Sequence, residues 1–144
     1  MEDIYTELER LSARYSKLHS LFLEFYRVGA PLLMGGKLRG IEVDRLMDER
    51  YFDVKLAGTT ARFTFSFLGS EFKGRVTCER LNPPSGIEPS WFESIGHFDF
   101  NGEGDTGQKM PGLGDPMLVS TDSHACLLIA TLLHKAITSP PAQS

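Results

Sequence analysis

The chain has 144 residues, a mass of 16.1 kDa and a formal net charge of −4. That length suits one domain, and a 41% hydrophobic, 24% charged composition excludes wholesale disorder. No run approaches the roughly 20 apolar residues of a membrane span, the Met-Glu-Asp start lacks the apolar core of a secretory leader, and two cysteines cannot build a disulfide scaffold.

The chain therefore reads as a cytoplasmic protein with reduced thiols at Cys78 and Cys126. Charge is uneven: residues 1–80 carry 13 basic and 12 acidic side chains, residues 81–144 only 2 basic and 7 acidic. There is no basic run of the kind that tracks a phosphate backbone, so no nucleic-acid partner is expected. Lys73, Arg75 and Arg80 read as a solvated strand face.

Residues 2–28 predict a long helix. Ile4, Leu8, Leu11, Tyr15, Leu18, Phe22 and Phe25 follow one another at spacings of four and three, a heptad pattern. Gly29 reads as its C-cap and Pro31 as its stop. One reading lays this stripe on the domain's own sheet. The other pairs it with a second copy through Leu8, Leu11, Tyr15, Leu18 and Phe22. Residues 38–43 predict a short strand, and 44–49 a helical turn or loop.

From 51 to 81 three period-2 runs follow one another, with Gly58-Thr59-Thr60 and Gly69-Ser70 as turns. Phe52, Val54 and Leu56, then Ala61, Phe63, Phe65 and Phe67, then Gly74, Val76 and Cys78 share an apolar face. Residues 82–90, with three prolines and a glycine, read as a loop. Strand character returns at 91–100. Residues 101–116 read as an irregular Gly-rich acidic loop. Ser120-Thr121-Asp122 offers N-caps for a helix over 122–138, and 139–144 reads as a disordered tail.

The predicted fold is α+β in one domain spanning 1–138. An antiparallel meander of four to five strands is covered on one face by an N-terminal and a C-terminal helix.

No catalytic constellation stands out. Asp122, Ser123 and His124 are adjacent and cannot face one another as a triad must. Cys78 falls on the apolar strand face, where a thiol is inert. His97, Asp99 and His124 would make a metal site only if the fold converged them, and none is expected. Residues 99–105 resemble the first half of a calcium loop, but Met110 stands where the bidentate glutamate belongs. Gly102-x-Gly104-x-x-Gly107 matches a dinucleotide pattern by count only, with Pro111 where a helix should continue. No cofactor is predicted.

The function expected is a non-enzymatic protein-binding module of inhibitor, immunity or adaptor type. Its contacts would be Glu103, Asp105 and Asp115 on the acidic loop and the N-terminal helix as a homodimer seam. The alternative is a small-ligand binder or enzyme with an apolar pocket between helix and sheet, using Tyr15, Tyr26, His97 and Asp99.

Overall fold

The computed structural model describes residues 3–44, 46 and 49–140. Helix α1 spans Ile4–Met34. Strands β1 (Glu42–Val43), β2 (Tyr51–Leu56), β3 (Thr59–Leu68), β4 (Lys73–Asn82) and β5 (Trp91–Phe100) follow. A hairpin of β6 (Asp105–Lys109) and β7 (Pro116–Leu118) leads into α2 (Asp122–Thr138). The five strands pair antiparallel in sequence order, and β6–β7 forms a separate two-stranded ribbon. No described helix is long and apolar enough to cross a membrane.

Alternation dictates the sheet. Phe52, Val54, Ala61, Phe63, Phe65, Val76, Cys78, Phe98 and Phe100 all point to one face and are buried. Both helices lie on that face. Leu18, Phe22, Phe25 and Leu33 of α1, with Ala125, Leu128, Ile129, Leu133 and Ala136 of α2, complete the core. Phe22 and Phe25 meet Phe52, Phe65 and Phe98 at ring separations of 5.4–6.1 Å, so the space between α1 and the sheet is filled by aromatic packing.

Several local expectations are corrected. Gly29 does not cap α1: it is buried inside the helix. A Cβ there would lie 3.0 Å from both Ala125 Cβ and Ile129 Cδ1. The bare Cα lets the two helices approach, and burial of Ala30 and Leu33 carries α1 one turn past Pro31. The stop falls at Gly35, whose N–H reaches the Pro31 carbonyl at 2.9 Å. The β2–β3 turn is Ala57-Gly58, both with positive φ (53° and 76°), as a two-residue hairpin that follows the strand twist requires. Only Glu42–Val43 of the 38–43 segment pairs as strand, and the 44–49 turn falls partly outside the described residues.

The 101–116 segment is not an irregular loop. Asn101 Oδ1 accepts the N–H groups of Glu103 (2.9 Å) and Asp105 (3.0 Å), which turns the chain into β6. Met117 and Val119 then bury themselves under α2 and pin the ribbon to the core.

Arg80 is the largest departure. It does not belong to a solvated face with Lys73 and Arg75. It lies on the inward side of β4 and is 6% exposed. Its Nη1 donates to the carbonyls of Ala136 (2.9 Å) and Ser139 (2.8 Å), and its Nη2 to Glu93 Oε1 (2.7 Å) and the Pro140 carbonyl (2.9 Å). A buried guanidinium thus caps the C-terminus of α2, where a cation also meets the negative end of the helix dipole. It ties Ser139 and Pro140, the first residues of the expected tail, to the sheet. Residues 141–144 lie outside the described residues.

Candidate interaction surface

Helix α1 is longer than the sheet that supports it. Its 31 residues rise about 46 Å at ~1.5 Å each, whereas a ten-residue strand extends about 33 Å. All its buried residues lie between Leu18 and Leu33, from the middle of the helix to its C-terminus. Beyond them the same stripe continues into solvent: Ile4 is 73%, Tyr5 65% and Leu8 57% exposed. Leu11 is half-buried. Tyr15 marks the boundary, with its ring edge-on to Phe65 (5.8 Å) and Phe67 (5.7 Å) and stacked on His19 (5.6 Å).

Two features fix the direction of the projecting turns. Arg14 lies over the ring of Phe72, 3.6 Å from its centroid, a cation–π contact. Phe72 ends the β3–β4 turn with φ +55°, a left-handed conformation a bulky residue seldom adopts. Arg14, Lys17, Leu18, Phe72 and Gly102 line a notch of about 300 Å³ beside the helix. At the tip, Asp3 caps the helix by accepting the Tyr5 N–H at 3.2 Å, and Glu7 pairs with Arg10 at 3.0 Å.

Of the five residues expected on a dimer seam, Leu18 and Phe22 are corrected: they are 2% and 0% exposed in the chain's own core. The sheet is shorter than the stripe, so the stripe changes role near Tyr15. Leu8, Leu11 and Tyr15 stay on the projecting half.

The acidic residues of the expected loop are spread along the ribbon. Glu103 and Asp105 sit at its base, and Asp105 Oδ1 is engaged by the Gly107 N–H at 2.8 Å. Asp115 lies beside the distal register pair Lys109–Pro116, about 14 Å away by strand rise.

The four pocket candidates do not converge. Tyr15 sits at the end of the sheet, and the Tyr26 ring packs on Phe52 at 5.0 Å. Asp99 faces the uncovered side of the sheet. His97 borders a cleft of about 250 Å³ between β5, the ribbon and α2, floored by Phe98, Met117, Leu127, Leu128 and Leu132. The expected helix–sheet pocket is replaced by the aromatic core. His124 does not approach His97 as a ligand: its Nδ1 accepts the Leu118 N–H at 3.1 Å. Among the described residues no cluster of histidine, cysteine and carboxylate could hold a metal ion.

The uncovered sheet face is laced with paired charges. Arg62 donates to both oxygens of Asp53 (2.8 and 3.1 Å) while lying over Tyr51 and Phe92, and Arg75 donates to both oxygens of Asp99 (2.7 and 3.2 Å). Thr64 donates to Glu79 at 2.9 Å. These cross-strand pairs leave that face polar and self-satisfied.

The hydrogen bonds from Arg75 hold the Asp99 carboxyl below its ordinary range, against an opposing effect of burial. A carboxylate with a depressed folded pKa contributes stability above its unfolded value, ~3.9, and loses it as pH falls through the folded value. Asp99→Asn is therefore expected to flatten the fall of urea-unfolding stability below about pH 4. An unchanged acid slope would remove Asp99 as a cause.

Burial pushes the Cys78 thiol up to about 12, and its Sγ sits 3.8 Å from the Leu132 carbonyl. Cys78 is expected to react with a thiol reagent at pH 8 only as fast as the fold opens. Labelling at the rate of a free thiol would contradict its placement.

No family model, curated protein or solved structure gives a significant match to this chain.

Proposed function

We propose that this chain is a non-enzymatic protein-binding module whose principal contact is the projecting N-terminal half of α1. The observation that carries this reading is the exposure of Ile4, Tyr5 and Leu8 on a helix whose same stripe, four turns on, is fully buried. An isolated amphipathic end of about three turns gains little from helix propensity alone; its apolar face finds its energy in a partner groove or helix. The filled core supports this reading over a ligand pocket between α1 and the sheet. Glu103, Asp105 and Asp115 along the ribbon provide a secondary contact for a basic partner surface.

A photo-crosslinking residue at position 4, in protein exposed to lysate of its source cells, tests the reading. Protein cross-links are expected from that position, lost when Leu8→Glu is added, and absent from the same probe at Lys55 in strand β2. Equal cross-linking from both positions, or none from position 4, would overturn it. Charge reversal at all three ribbon acids with unchanged binding would remove the secondary contact.

A further inference from the structure

We infer that the partner of the projecting helix is a second copy of this chain, paired antiparallel through residues 4–15. This rests on the binding reading above and specifies its occupant.

Charge order along the projecting turns provides the first support. Asp3, Glu7 and Glu9 occupy the first half, and Arg10, Arg14 and Lys17 the second. Parallel alignment sets the acidic end of one copy beside the acidic end of the other, and basic end beside basic end. Antiparallel alignment sets each acidic end beside the basic end of the other copy.

Register provides the second. Antiparallel seams alternate their two core positions across the interface. Here that places Ile4 against Tyr15 of the second copy and Leu8 against its Leu11, and by two-fold symmetry each layer occurs twice. Ile4 and Leu8 lie beyond the sheet, Leu11 is half-buried, and Tyr15 at the boundary keeps 37% of its surface exposed; none comes from the fully buried set that begins at Leu18. In this register Glu7 lies on the same flank of the seam as Arg14 of the second copy, two residues or about 3 Å along the axis from exact opposition and within side-chain reach, again twice. Parallel pairing would set Glu7 opposite Ser12, and Arg14 opposite His19, whose Nε2 lies 2.6 Å from the Glu49 carbonyl of its own chain.

The local geometry suits this exchange. Among the described residues no carboxylate is ion-paired with Arg14, and its guanidinium is held in place over Phe72. Glu7 already carries Arg10 at 3.0 Å, so Arg14 of the second copy completes a three-membered cluster. The acid-capped helix start of the second copy lies over the notch between Arg14, Lys17 and Phe72.

Sedimentation equilibrium of the full chain, over a wide concentration range, tests the inference. Wild type is expected to dimerise reversibly. Glu7→Arg and Arg14→Glu each replace two attractions by two repulsions, and each is expected to weaken the dimer by tenfold or more, on the order of two exposed ion pairs. The two variants mixed are expected to form a heterodimer, and Glu7→Arg combined with Arg14→Glu in one chain to dimerise again. Both positions lie on the projecting turns, so circular dichroism is expected to stay native.

A wild type that stays monomeric, a dimer indifferent to both reversals, or a mixture that fails to recover would each overturn the inference. A monomer that still gives Leu8-dependent cross-links to another protein would remove the self-pairing and leave the binding reading standing. Absence of both would remove the two together.

Discussion

Arg80→Ala is expected to lower the unfolding free energy by about 3 kcal/mol, the usual cost of breaking a buried, multiply bonded charge site, and to reduce Tm by about 10 °C for a domain of this size. The guanidinium spans three carbonyls at the end of α2 and the Glu93 carboxylate. Its removal strands those acceptors in a site the side chain had closed to water. The Nε has no acceptor among the described residues, so the site already bears one unsatisfied donor. Arg80→Lys keeps the charge but cannot reach the same acceptors with a planar fork, and is expected to recover less than half the loss.

Glu93 gives the same site a pH signature. Hydrogen bonds from Asn82 and then Arg80 hold its carboxyl below the ordinary range. Stability from this contact is present above the unfolded value, ~4.3, and is lost as pH falls through the folded one. Urea melts at neutral pH and near pH 3 are the measurement. A loss on Arg80→Ala below ~1 kcal/mol at neutral pH would show that the cap is dispensable.

Gly74→Ala is expected to cost about 2–3 kcal/mol through overpacking of a filled core. Gly74 pairs with Phe67 on one side and Phe100 on the other, and the Phe100 ring folds over it. A Cβ at position 74 would lie 2.4 Å from Phe100 Cζ and 2.7 Å from Cε1. Phe100 is 1% exposed and faces Phe65 at 6.3 Å, so it has little room to retreat. The cost is steric and not conformational, and a second change can relieve it. Gly74→Ala in a Phe100→Leu background is expected to cost clearly less than in wild type, a coupling that a double-mutant cycle of urea melts would measure. Strict additivity would remove the ring as the cause. Gly58→Ala, at φ +76° with open space around it, is expected to cost only about 1 kcal/mol.

The contrast between Gly74 and Arg80 shows what was legible in the chain. Strand parity alone put Gly74, Val76 and Cys78 on the apolar face. Continued two residues further, the same parity puts Arg80 there as well. A charge in an inward position was the available signal, and proximity to Lys73 and Arg75 in sequence obscured it. What satisfies that charge is the end of a helix more than 50 residues later in the chain, which no local pattern specifies.

Gly29 departs from its local signal for a related reason. A glycine followed by a nearby proline is a helix stop by local rule. Contact with Ala125 and Ile129 makes it a helix crossing instead. In the β6–β7 ribbon the strands carry no alternation to recognise. Their order comes from the Asn101 side chain gathering two backbone N–H groups and from two buried residues beyond.

The candidate surface divides in the same way. Sequence by itself determined the apolar stripe of α1, its heptad spacing, the order of acid before base along it, the period-2 meander and its greasy face. Those are properties of neighbouring residues, and side-chain periodicity reports them directly. Only the tertiary structure decided where the stripe stops being core. That boundary is the end of the sheet, set by strand lengths and turns 40 or more residues away, and it leaves Leu18 and Phe22 inside while Ile4 and Leu8 project into water.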